Sequence, residues 1–177
     1  MTQRHPSHLT DDFPIATAPT LAVSEWLNCS GAITLADLRG QVVVIEAFQM
    51  LCPGCVSHGL PQAKRIDAAF GRDLTVLGLH TVFEHHAAMT PISLEAFLYE
   101  YRITFPVGID SAEPGHSAPA TMRSYGLRGT PSLVLIDRAG QLRANAFGQL
   151  DDLALGAALA RLIDEPPPNP ASEETKP

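Results

Sequence analysis

The stretch "QVVVIEAFQMLCPGC", residues 41 to 55, runs from an unbroken apolar segment into two cysteines that enclose Pro53 and Gly54. Its first part, "QVVVIEAF", is β-branched and nearly continuous in apolar character, as a strand buried on both faces is. The next segment, "PGCVSHGLPQAKRIDAAFG" (53–71), reads as a helix that begins at Pro53, is interrupted or kinked near Gly59 and Pro61, and ends at Gly71. Pro53 suits a first helical turn, where its missing N–H has no intrahelical partner to lose. A CxxC pair at that junction leaves three chemistries open: a redox-active dithiol, half of a metal site, or two inert thiols.

On either side, strand and helix signals alternate. "LTVLGLHTVF" (74–83) predicts a second buried strand. "SLEAFLYEYRI" (93–103) has a serine start and helical spacing, with Leu94, Phe97, Leu98 and Tyr101 on one face. "PVGID" predicts a short strand and "APATMRSYGL" (118–127) a short helix. "SLVLID" and "QLRANAFG" flank the turn "RAG", a hairpin signal with Gly140 available for positive φ. "LDDLALGAALARLID" (150–164) closes the domain as an amphipathic helix with Leu153, Ala157, Leu159 and Ala160 assigned to the core side. The order is that of an α/β domain with a terminal hairpin.

At 177 residues, the chain is long enough for one domain with its own core. Residues 1–18 lack periodicity and are expected to form a loose arm; 19–163 form the domain; 164–177, "DEPPPNPASEETKP", form a disordered tail rich in prolines and acids. A net charge of -7 without a basic run argues against nucleic acid or an anionic membrane as partner. The first twenty residues carry no apolar run suited to a signal-peptide core, and no window approaches the roughly 18 apolar residues of a membrane span. A cytoplasmic location is therefore expected. In a reducing compartment a close cysteine pair is catalytic, redox-sensing or metal-binding more often than structural.

The chemistry of the pair derives from its position. Cys52 at a helix N-terminus meets free backbone N–H groups and the positive end of the macrodipole, which favour a thiolate and make it the attacking sulfur. Cys55, one turn further in, is placed to resolve a mixed disulfide formed at Cys52. A zinc site is disfavoured because the remaining cysteine, Cys29, is far upstream and no second CxxC or HxxxH follows. His80, His85 and His86 in "LHTVFEHH" lack a spaced third ligand, and no metal is assigned to them. Glu46 is a lone carboxylate inside the apolar run, where burial is expected to raise its affinity for a proton. Further on, "GLRGTPSLVLID" (126–137) places Thr130-Pro131 just before a strand, a position where proline can be cis.

Taken together, "ITLADLRGQVVVIEAF", "CPGC", "FPVGID" and "YGLRGTPSLVLIDRAGQL" resemble the thioredoxin fold, and within it the TlpA-like and redoxin-like (AhpC/TSA-related) thiol-disulfide oxidoreductases, from about Pro19 to Ile163. The resemblance implies a central mixed β-sheet flanked by helices, with an N-terminal extension. It implies Cys52, Cys55 and Glu46 as catalytic residues, Glu46 relaying the proton of Cys55. It also implies that Pro131 is cis and, with Thr130, Pro53 and Gly54, forms the substrate-binding groove. No cofactor beyond a Cys52–Cys55 disulfide is implied. Partners would be proteins or small thiols carrying disulfides, together with a thiol electron partner.

The sequence departs from that family in two places. The aromatic lead before the first cysteine is replaced by Gln49-Met50-Leu51, and the helix proline falls six residues after the second cysteine instead of five, as Pro61, which predicts a locally reshaped helix. His58, one turn beyond Cys55, is a candidate modulator of the thiolate. Cys29, in "WLNCSG", is expected beside an N-terminal hairpin with Trp26, and the long segment around 84–92 is a candidate lid or partner surface. Two other functions stand beside the dithiol oxidoreductase. A peroxiredoxin-like peroxidase lacks the upstream Pro and Thr or Ser of that family in "AFQMLC". A non-catalytic binding or redox-sensing module is at odds with an intact CxxC, helix-start proline and Thr-Pro turn.

Overall fold

The computed structural model describes residues 14–166. Seven strands form one mixed sheet: β1 (Ala16–Thr17), β2 (Val23–Leu27), β3 (Val42–Phe48), β4 (Leu74–His80), β5 (Val107–Asp110), β6 (Ser132–Ile136) and β7 (Gln141–Phe147), in the spatial order β1-β7-β6-β3-β4-β5-β2. Four α-helices, α1 (Leu60–Phe70), α2 (Pro91–Glu100), α3 (Ala120–Ser124) and α4 (Asp152–Asp164), complete the fold. β3 is central. It runs parallel to β4, from Val42 opposite Leu74 to Phe48 opposite His80, and antiparallel to β6, with Glu46 opposite Leu133.

All seven residues of β3 are buried, which explains why its sequence does not alternate. Val42, Val44 and Phe48 point into a core built with α1, α2 and α4, among them Leu60, Leu94 and Leu159. Val43, Ile45 and Ala47 point the other way, toward Met122 of α3 and a cover of partly buried side chains from residues 18–38. Each large side chain so enclosed contributes about 1.5–3 kcal/mol. The pleat puts Glu46 on the α1 face, the same face as Cys55.

The helix after the cysteines is reshaped where Pro61 predicts. Residues Cys55–Gly59 form a π-helical turn, closed by Leu60 N–H donating to the carbonyl of Cys55, five residues back. The wider turn absorbs the one extra residue between Cys55 and the proline. α1 then continues as an ordinary helix to Phe70.

Several expectations are corrected. α2 starts earlier than Ser93: Thr90 is the N-cap, its hydroxyl accepting from Ser93 N–H at 3.2 Å, and Pro91 opens the first turn. Tyr101, assigned to the inner face of that helix, is exposed, although its ring stacks on Phe97 with centroids 4.3 Å apart. In α4 the buried side is formed by Ala154, Leu155, Ala158, Leu159 and Leu162. Leu153 is 85 % exposed and Ala157 and Ala160 also face out; only Leu159 of the assigned four is buried. A run of alternating Leu and Ala is nearly apolar all round, so periodicity marks no unique face; the Asp151 cap, accepting from Leu153 and Ala154 N–H, sets the rotation instead. Among the described residues no N-terminal hairpin forms near Cys29 and Trp26: β1 pairs with β7 and β2 with β5, at opposite edges of the sheet. Ala16–Thr17, expected within the loose arm, is that β1 edge strand. The rest of the arm up to residue 13, and the tail from 167, lie outside the described residues.

Candidate active site

The sheet delivers Phe48 to the end of β3, and Gln49 to Leu51 carry the chain over its C-terminal edge into the helix. Gln49, fully buried, holds this corner: its carbonyl accepts from Cys52 N–H at 3.1 Å and its side-chain oxygen from Phe83 N–H at 3.2 Å. Cys52 takes the capping position. Its carbonyl accepts from Val56 N–H at 3.1 Å, and its sulfur accepts from Cys55 N–H at 3.3 Å, so a backbone donor that a helix start leaves free is aimed at Cys52 Sγ. The same sulfur lies 3.4 Å from the carbonyl oxygen of Thr130, toward which its S–H donates.

The two cysteines differ in setting. Cys52 is half-buried and Cys55 fully buried, and both are free thiols. Burial, with the Cys52 sulfur next, pushes the Cys55 thiol well above its ordinary range. The Thr130–Pro131 peptide bond is cis, and Pro131 packs on the helix start. A β-carbon placed on Gly54 would stand 3.2 Å from Pro131 Cδ, and one on Gly59 2.9 Å from Pro131 Cβ. Pro53 is exposed beside them and Thr130 partly exposed, so Cys52, Pro53, Gly54, Thr130 and Pro131 come together as one surface-reaching cluster.

Glu46 lies beneath this cluster, 1 % exposed. Its Oε1 is buried with no hydrogen-bond partner in the protein, and a side chain on Gly59 would overlap that oxygen. Burial first, then repulsion from the nearby Cys52, raises its carboxyl well above the usual range. His58 is exposed; its Nδ1 is 2.7 Å from Ser57 Oγ, and it lines a cavity with Glu46 in which neither cysteine takes part. His80, at the end of β4, is buried against Phe48 with its Nε2 unpartnered, and burial lowers its pKa to about 4. Met89, buried in the core, pins the 84–92 segment. Among the described residues no three His, Cys, Asp or Glu side chains gather as a metal site would need.

Two features escaped the sequence. Gly59 read as a helix interruption, although a glycine inside a helical pattern also signals close approach by another group, here Glu46 and Pro131. Gln62 and Asp152, 90 positions apart, meet with Nε2 donating to Oδ1 at 2.7 Å, and Arg65 joins the same carboxylate at 3.0 Å. No local pattern announces such a contact.

The model of the AhpC/TSA family matches residues 11–145. Protein DipZ of Mycobacterium tuberculosis (strain CDC 1551 / Oshkosh) and of Mycobacterium bovis (strain ATCC BAA-935 / AF2122/97) is 29 % identical over 156 residues, which is 86 % of this chain. The chain spans only 21 % of the length of these curated relatives. Among solved structures, a thioredoxin-like superfamily protein is 61 % identical, with a TM-score of 0.84 over 86 % of this chain and 99 % of the other. A thiol-disulfide isomerase from Corynebacterium glutamicum is 50 % identical, with a TM-score of 0.80 over 84 % and 98 %. The fold is thioredoxin-like. No helix among the described residues is long and apolar enough to cross a membrane.

Proposed function

Because this chain belongs to the AhpC/TSA family, within its thioredoxin-like thiol-disulfide oxidoreductases, we propose that it exchanges disulfides through a Cys52–Cys55 dithiol centre, acting on a protein or small-molecule disulfide. The observation that carries this reading is the position of Cys52: a half-buried sulfur that accepts the Cys55 N–H and touches the Thr130 carbonyl, with a buried second thiol one turn behind it. The isomerase from Corynebacterium glutamicum, half of whose aligned residues are identical, supports the same class.

The reaction proceeds in two displacements. Cys52 thiolate attacks one sulfur of the substrate disulfide, forms a mixed disulfide and expels the other sulfur as a thiolate. Thr130 and Pro131 flank the attacked sulfur, and the exposed edge of this loop offers backbone to an extended chain. Cys55 then passes its proton to Glu46 and, as thiolate, attacks the Cys52 sulfur, so that the Cys52–Cys55 disulfide forms and the second substrate thiolate leaves. The substrate gains two electrons and the protein loses two. An external dithiol, or a pair of monothiols, returns the protein to its starting state by the reverse steps. Glu46 fits the relay because its elevated proton affinity matches it to a buried thiol that is itself reluctant to ionise.

Equilibration against defined glutathione buffers, with thiol trapping, tests this function. A reversible Cys52–Cys55 disulfide is expected, with a potential near about -270 mV for a reductase or near about -120 mV for an oxidant. Cys52→Ser is expected to abolish exchange and Cys55→Ser to accumulate the mixed disulfide. An active Cys52→Ser protein, or a pair that never forms a disulfide at any poise, rules the dithiol mechanism out. Peroxide consumption that proceeds without any disulfide substrate would move the assignment to the peroxidase alternative.

A further inference from the structure

Glu46 presents a problem that the two displacements leave open. Each resolution step leaves a proton on a carboxyl that is 1 % exposed, and unless the reverse steps return it to Cys55 that proton must reach water. The groove at Cys52 and Thr130 is where the substrate sits while Cys55 attacks, so it offers no free exit at that moment. A second way out exists. Glu46 lines a cavity of about 300 Å³ whose walls come from the π-helical turn, from α1 and from the loop joining β7 to α4. Neither cysteine, nor Thr130, nor Pro131 borders it.

The cavity is suited to water. It is large enough for several molecules, and Glu46, whose Oε1 is buried without a hydrogen-bond partner, forms part of its wall. Its outer end is polar. Gln62 donates to the Leu150 carbonyl at 3.0 Å and to Asp152, and the Arg65–Asp152 ion pair, both side chains more than half exposed, stands at the surface. His58 and Asp151 are the other titratable groups on its wall. Gly59 keeps the inner end open, because any side chain there would occupy the space of the carboxyl oxygen.

We propose that this cavity is the proton port of the site: water within it connects the Glu46 carboxyl to bulk solvent past His58 and Asp152, so the proton taken from Cys55 leaves by a route that bypasses the docked substrate. The step is a simple transfer. Cys55 S–H and the Glu46 carboxylate become thiolate and carboxylic acid, and the acid then gives its proton to cavity water, with no change in oxidation state. The inference rests on the dithiol reading above. His58 and Asp152 act through the water and are positioning residues.

Ellman's disulfide, 5,5′-dithiobis(2-nitrobenzoate), separates the two questions in one absorbance trace. In a Cys29→Ser background, which removes the third free thiol, the first thiolate released reports attack by Cys52, and the second reports resolution by Cys55. A missing first phase counts against the dithiol function itself, whereas the port concerns only the second. Glu46→Ala is expected to slow the second phase by about 10²-fold relative to the first. Formate, small enough to enter the cavity, is expected to restore about tenfold of this loss in a saturable manner. Adding a plug at the outer wall, Gln149→Trp or independently Ser57→Leu, is expected to abolish the formate effect and, in the protein that retains Glu46, to slow the second phase alone. A cooperative urea transition certifies that each variant is folded. The port is overturned if formate restores nothing, if it restores equally with and without the plugs, or if both plugs leave the second phase at the wild-type rate.

Discussion

Gly59 faces the carboxyl of Glu46 so closely that a β-carbon on it would overlap Oε1, while standing 2.9 Å from Pro131 Cβ. Three segments far apart in sequence thus share one small space: the middle of β3, the π-helical turn and the cis-proline loop. The space is filled without a spare methyl.

Gly59→Ala is therefore expected to destabilise the protein by about 1–3 kcal/mol through overpacking. The loss has two sources, and one is removable. In a Glu46→Ala background the same substitution is expected to cost less, with a coupling of about 0.5–3 kcal/mol in a double-mutant cycle by urea unfolding. Strict additivity would show that the two residues do not compete for the space.

The buried carboxyl also sets a pH dependence. Because Glu46 in the folded protein holds its proton well above its ordinary value of 4.5, the folded state binds more protons than the unfolded chain between the two values. Stability contributed by Glu46 is then full below the lower value and declines as pH rises, by about 1.4 kcal/mol for each pH unit of that window. Glu46→Gln cannot ionise. Its thermal midpoint relative to wild type is expected to climb as pH rises above 4.5, even as disulfide resolution slows. Parallel curves for the two proteins would place Glu46 in contact with solvent.

His80 has the opposite sign. Burial lowers its pKa from 6.5 to about 4, so the unfolded chain takes up a proton in that interval that the folded protein refuses. Stability is full above pH 6.5 and is lost as pH falls toward 4, by on the order of 3 kcal/mol at most. In His80→Leu this part of the acid sensitivity is expected to vanish, whatever constant packing cost the substitution brings against Phe48. Urea midpoints at pH 7, 5.5 and 4 measure the difference, and an unchanged acid slope would refute the assignment.

The cysteines are expected to react unequally with iodoacetamide. Cys52 is half-buried at the helix start, whereas Cys55 is enclosed and its thiol is held protonated by burial. In a Cys52→Ser protein, modification of Cys55 is expected to be slower on the order of tenfold or more than modification of Cys52 in Cys55→Ser, because only the thiolate reacts. Equal rates would mean that Cys55 reaches solvent without the helix opening.

Much of this arrangement was legible in the chain because it is encoded locally. The unbroken apolar run 42–48 marks a strand covered on both faces, and β3 is that strand. A cysteine pair straight after it, with proline at the helix start, places the sulfurs at the sheet's C-terminal edge, and Pro61 one residue late announces the wider turn at Cys55–Gly59. Even the isolation of Glu46 in "VVVIEAF" is a local fact.

What only the tertiary structure decided depends on contacts between distant segments. Which face of α4 is buried depends on the Asp151 cap and the core it meets, since a Leu and Ala helix has no polar side to choose by. The two N-terminal strands part to opposite edges of the sheet because each finds its hydrogen bonds with a different late strand, a choice invisible in short apolar runs. Glu46 differs from an ordinary buried carboxylate because Gly59 and Pro131 crowd one side of it while Gln62, Arg65 and Asp152 frame the cavity on the other. Sequence alone determined the type and order of the reactive groups, because strand, helix start and cysteine spacing are properties of neighbouring residues. The environment that sets each group's affinity for a proton belongs to the folded chain, because desolvation comes from every segment that closes over the site.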